Sequence, residues 1–102
     1  MIIPQKFKLF GRTINVMYDK SILQKDDHIG QACYKEDKIK ILPNTESYKM
    51  KNYQIEQIFM HELIHFILEA MNENELRINE KFVDIFASLL HQAINTFEGE
   101  LK

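Results

Sequence analysis

The apolar positions of this chain change period once, from two to about three and a half, close to residue 52. Before that point the pattern is strand-like. Phe7-Lys8-Leu9 alternates, and Thr13 to Tyr18 alternates again in β-forming residues, so Lys6 to Tyr18 reads as a hairpin turning at Gly11-Arg12. One face of each strand is apolar and has to cover something. A second hairpin is expected over Gln31 to Leu42, where Ala32-Cys33-Tyr34 and Lys38-Ile39-Lys40-Ile41-Leu42 flank the charged turn Lys35-Glu36-Asp37. Lysines alternating with isoleucines mark a half-exposed strand and discourage edge pairing. Between the hairpins, Asp19 to Gly30 has weak periodicity anchored by Ile22, Leu23 and Ile29; it has room for a short helix at Ser21 to Lys25 but mostly loop is expected, with the acidic pair Asp26-Asp27 at the surface. Pro43-Asn44 ends the strand, and a polar connection follows to Lys51.

The helical half begins at Asn52, the expected N-cap, and its first helix runs to Met71. Ile55, Ile58, Phe59, Leu63, Phe66, Ile67 and Ala70 line one broad face, while Met60, Ile64, Leu68 and Met71 lie elsewhere around it. A helix apolar nearly all round belongs in the centre of a fold. The polar break Asn72-Glu73-Asn74 leads into a second helix from about Asn74 to Phe97, capped by Asn72 or Asn74 and stopped by Gly99, with Phe82, Ile85, Phe86, Leu89, Ala93 and Ile94 as its core stripe and His91 on its surface. The expected class is α+β, a small antiparallel or mixed sheet of roughly three to four strands packed on a two-helix hairpin, in one domain over residues 1–102.

Composition narrows the functions. An apolar share of 45% with 27% charged residues is that of a folded domain, and a net charge of -2 gives no basic face for nucleic acid. The lone Cys33 has no internal disulfide partner, and neither a leader at Met1 to Phe10 nor an apolar run of about 18 residues points to export or a membrane span, so the cytoplasm is the expected compartment.

The chemistry sits inside the first helix. His61-Glu62-Leu63-Ile64-His65 is HExxH: two imidazoles one turn apart point the same way, with a glutamate beside the first. Zinc binds neutral imidazole nitrogens and, in catalytic sites, takes three protein ligands and keeps one position for water. The third ligand follows from counting. His65 lies about six residues, or ~9 Å of rise, before the break, and Glu80 lies about as far after it, so an antiparallel hairpin brings them together. One turn further from the break on each side, His61 comes level with Asp84, which accepts a spare ring N–H and fixes a tautomer. Glu69 is a turn beyond the histidine pair, and Glu73 and Glu75 fall in the turn. A glycine and third histidine after HExxH are absent, because Leu68 and Met71 stand there.

HELIH followed by Asn79-Glu80-Lys81-Phe82-Val83-Asp84 resembles the gluzincin arrangement, HExxH then ExxxD, of thermolysin-like metallopeptidases. The small size and Phe86-Ala87-Ser88-Leu89-Leu90 are similar to prophage and bacterial metallopeptidases of the ImmA/IrrE type. The interval from His65 to Glu80 is short for these families, and Phe82-Val83-Asp84 stands where Glu-Ala-Asn is usual. The resemblance implies a minimal zincin-like domain of phage type, in which the strand beside the active-site helix is a sheet edge that takes an extended substrate by β-addition. It also implies a narrow peptide or protein substrate, such as a regulator.

The expected activity is therefore zinc-dependent peptide hydrolysis. One zinc per chain is expected on His61, His65 and Glu80, with Glu62 as general base and then acid. Tyr34, Tyr48, Tyr53 and His28 are the candidate oxyanion donors, and spacing does not choose among them. A zinc-binding regulatory or interaction module without turnover is the alternative, although a structural site has no need of Glu62. A metal-free helical interaction protein, its histidines mere core, is the third class, and metal content separates it from the others. Nothing in the pattern sets the oligomeric state.

Overall fold

Two consecutive residues with positive φ, Phe10 at 48° and Gly11 at 76°, close the first hairpin. A left-handed pair matches a two-residue loop to the twist of the strands it joins. The strands are β1 (Lys6–Leu9) and β2 (Arg12–Tyr18), with Leu9 opposite Arg12, so the turn comes one residue earlier than the expected Gly11-Arg12. Arg12 is a strand residue whose guanidinium reaches Asp37 and, at 2.9 Å, Glu69, tying the hairpin to the helical layer. In this computed structural model every residue but Asp27 is described, and the side chains of residues 24–26 are also left out, so the expected surface pair Asp26-Asp27 lies outside the described residues.

The segment after β2 holds the short helix for which its sequence had room. It forms α1 (Ser21–Asp26), because the Asp19 carboxylate accepts from the Ser21 N–H at 2.9 Å and its hydroxyl at 2.7 Å, while Ile22 is buried. Next come β3 (Gly30–Cys33), a single 3-10 turn at Tyr34–Glu36 and β4 (Lys38–Ile41), with Asp37 in the left-handed region at φ 54° between the last two. The sheet is mixed, in the order β1-β2-β4-β3: β1 and β2 are antiparallel, β2 and β4 parallel, β4 and β3 antiparallel. Parallel neighbours need a long crossover, which α1 and β3 supply. That crossover leaves β3 as a free edge.

α2 (Asn52–Ala70) is buried nearly all round, as its pattern requires, and lies between the sheet and α4. Its N-cap is Lys51 rather than Asn52; the Gln54 side chain turns back to accept the Lys51 N–H at 2.8 Å. Its C-terminus closes as a Schellman motif, with Asn72 at φ 59°, Asn72 N–H on Glu69 C=O and Glu73 N–H on Leu68 C=O. Ile14, Ile39 and Ile41 from the sheet, Ile55, Phe59, Ile64 and Phe66 from α2, and Val83 and Ala87 share one core.

The second half of the helical layer corrects the expectation twice. It is not one helix from Asn74: α3 (Asn74–Arg77) stops, and α4 (Glu80–Asn95) starts afresh after Asn79 and ends short of Gly99. Asn79 is a true N-cap, its side chain accepting the Phe82 N–H at 3.1 Å. The expected stripe is only partly inward: Phe82 and Ile94 pack against the core beside the buried Val83 and Ala87, while Ile85, Phe86 and Leu89 are 50%, 46% and 62% exposed. His91, expected on the surface, is buried and bonds the Glu56 carboxylate at 2.8 Å. Among the described residues, no helix is long and apolar enough to cross a membrane.

Candidate metal centre

One helical turn separates His61 from His65 on α2, and their rings converge until the two Nε2 atoms are 3.1 Å apart. The cap at Asn79 delivers a carboxylate to the same point. Glu80, the first residue of α4, places Oε2 3.0 Å from His61 Nε2 and Oε1 3.2 Å from His65 Nε2. A turn later, Asp84 Oδ1 lies 2.7 Å from His61 Nδ1. The structure thus brings together His61, His65, Glu80 and Asp84, though not along the continuous helix from which their levels were counted. The chain detours through α3 and is re-capped, and the contact survives because α4 still runs antiparallel to α2 beside the histidines.

Burial favours the neutral form of the His65 imidazole. Asp84 bonds Nδ1 of His61 and so turns its Nε2 towards His65 and Glu80. His65 is held below the usual histidine range chiefly by burial, although the Glu80 carboxylate pulls the other way. Its Nδ1 is buried without a hydrogen-bond partner; the Arg77 backbone acts on the ring from outside bonding geometry.

Glu62 sits at the edge of this cluster and is only 8% exposed. Burial pushes its carboxyl up to about 7; Glu80 and Asp84 add to the rise, while His61 and the Ala32 backbone N–H oppose it. The tight fit around it depends on Gly30. A Cβ there would collide with Ile58 Cγ2 and stand 3.1 Å from Glu62 Oε2. An isolated glycine in a strand signals such a close approach, and it was the one clue to the site that the pattern held and motif reading missed.

The free edge of β3 runs past the same carboxyl. Leu42 N–H bonds Ile29 C=O at 2.9 Å, which sets the phase of the β3–β4 ladder. Ile29, Gln31 and Cys33 therefore bond inward to β4, and Gly30 and Ala32 turn their N–H and C=O groups outward. Two hollows adjoin the cluster: a cleft of about 560 Å³ on the His61 side, bordered by Tyr48, Met50, Ile58 and Ala87, and one of about 260 Å³ bordered by Ala32, Tyr34, His65 and Glu80.

These hollows sort the candidate oxyanion donors. His28 borders both, Tyr48 the first and Tyr34 the second. Tyr34 packs edge-on against Phe66 under the Arg77 guanidinium, with its phenol pKa raised mainly by burial. Tyr53 is a correction: it lies in the first turn of α2, 52% exposed, and borders neither hollow. Glu69 is bound by Arg12, and Glu75 lies on α3 away from the three donors.

Among the described residues, His61, His65 and Glu80 form a group able to hold a metal ion, with all three donor atoms within 4.8 Å of one another. Compared with family models, curated proteins and solved structures, the chain finds no match, so its function is argued from this geometry.

Proposed function

We propose that this protein is a zinc-dependent peptidase, a minimal zincin-like domain in which His61, His65 and Glu80 hold the metal and Glu62 moves the proton. The donor set fits zinc. Tetrahedral ligands about 2.0–2.1 Å from a zinc ion stand ~3.3 Å from each other; the two ring nitrogens here are 3.1 Å apart, and each has one of the two Glu80 oxygens at 3.0 or 3.2 Å. Two neutral nitrogens and one carboxylate oxygen are also a catalytic rather than a closed structural set. Bound there, zinc supplies Lewis acidity towards water and the scissile carbonyl.

The chain's own groups do the rest. Asp84 holds the His61 ring in the tautomer that presents Nε2. Glu62, its proton affinity set near neutrality, takes a proton from the attacking water and returns it to the leaving amine, so that one O–H and one C–N bond break as one C–O and one N–H bond form. The outward Gly30 N–H and the outward C=O groups of Gly30 and Ala32 offer an extended peptide backbone the pairing that the gluzincin resemblance implies, while the Ala32 N–H serves Glu62. His28, Tyr34 and Tyr48 stand as donors for the oxyanion.

Glu62 carries the reading. A purely structural site gains nothing from a buried carboxyl beside its ligands, whereas a peptidase requires one, which favours turnover over a binding module. The experiment is metal analysis of the purified protein together with mass-spectrometric digestion of a peptide library. Wild type is expected to hold one zinc per chain and cleave; Glu62→Gln is expected to hold the same zinc and not cleave. Purified protein that takes up no zinc, or a Glu62→Gln variant that cleaves normally, would refute the proposal.

A further inference from the structure

α4 is apolar around most of its circumference. Val83, Ala87 and His91 face inward with Leu90 and Ile94 packed beside them, and Asp84, Ser88, Gln92 and Asn95 form a polar strip. Phe82, Ile85, Phe86, Leu89 and Ala93 make up the outer side, where a shallow hollow of about 360 Å³ is bordered by the first four with Asn79 and Lys81. Of this side, Phe82 also touches the core, while Ile85, Phe86 and Leu89 are 50%, 46% and 62% exposed. A contiguous apolar face of this kind on a helix otherwise packed on one side marks an interface.

We propose that a second copy of this chain covers the face, with the two α4 helices antiparallel about a two-fold axis passing between Phe86 and Leu89. The pattern is self-complementary. Phe82, Phe86, Leu89 and Ala93 are spaced four, three and four residues apart, which reads the same in both directions. The two-fold sets the large Phe82 of one copy against the small Ala93 of the other, and Phe86 against Leu89, in both halves at once. Charge agrees with this direction. Lys81, beside the start of the stripe, comes level with the last turn of the other α4, whose C-terminal carbonyls favour a cation. A parallel pairing would set Lys81 beside Lys81. Glu80 and Asp84 face α2 and are not part of the stripe, so the inference stands apart from the metal reading.

An interface of one helix face falls below the roughly 800 Å² per partner of a standard complex, so association in the micromolar range is expected. The whole chain, followed by light scattering across that range, is expected to rise from 12.2 kDa towards twice that mass. Leu89→Lys and Phe86→Glu, both at exposed positions, are expected to raise the half-association concentration more than about tenfold while circular dichroism and zinc uptake stay unchanged. In a Cys33→Ser background, the paired variant Phe82→Cys with Ala93→Cys is expected to give a covalent dimer on oxidation. One helix holds those positions ~16 Å apart, beyond the reach of an internal disulfide, and neither single variant should cross-link. A monomer at every concentration, dimerisation that survives Leu89→Lys, or cross-linking by a single cysteine as efficient as by the pair would each overturn the proposal.

Discussion

A carboxyl kept protonated up to about 7 makes the metal-free fold weaker as pH rises, and Glu62→Gln measures by how much. In the unfolded chain the group ionises near its ordinary 4.5, whereas in the folded chain it ionises near 7. Between those values the unfolded state binds fewer protons, so stability falls with pH. The contribution is intact below 4.5 and is lost as pH climbs through about 7. The gap between the two values, at about 1.4 kcal/mol for each tenfold change in proton affinity, makes ~3 kcal/mol the full cost. Glutamine has the same shape and does not titrate. In urea denaturation with a chelator present, the stability of Glu62→Gln relative to wild type should therefore grow by ~2–3 kcal/mol from pH 5 to pH 8. Titrating groups remote from Glu62 cancel in that difference. A difference that stays flat or shrinks with pH would show that Glu62 is not held as the structure holds it. Excess zinc should narrow the difference, because a dication at the donor cluster favours the carboxylate.

Three further outcomes are expected. Glu80→Ala should weaken zinc binding by orders of magnitude and Asp84→Asn by about 10–100-fold, measured by competition with a chromophoric chelator, whereas Glu69→Ala should leave affinity unchanged because Glu69 serves Arg12. Gly30→Ala should cost about 1–3 kcal/mol in chemical denaturation, since its Cβ collides with Ile58, and should also displace Glu62 enough to lower turnover. Phe10→Asn should raise the melting temperature: Phe10 is 83% exposed, so little burial is lost, and relief of its left-handed backbone is worth ~1 kcal/mol.

Much of the molecule was legible in the order of residues. The period-two stretches became strands, and the helix apolar on every side became the central one, because burial on two faces leaves no room for a polar stripe. HExxH placed two imidazoles on one face through helical geometry alone. What failed was the choice between two apolar faces of α4. Phe82, Ile85, Phe86 and Leu89 form the stronger stripe, yet Glu80 and Asp84 had already been assigned to face α2, and residues three to seven places from them, Val83, Ala87 and His91, share that side. The two expectations were incompatible, and periodicity had no means of ranking them.

What the chain determined by itself was therefore local: alternation, helical spacing and the pairing of chemistry within one turn. Only the tertiary structure decided that β2 pairs parallel to β4 and leaves β3 as the open edge, that Gly30 lies against Glu62, and that Glu62 is dry enough to hold its proton near neutrality. The physical reason is range. Propensity and periodicity act over a few residues, while desolvation and strand order depend on groups that meet only after the backbone has closed loops of many residues.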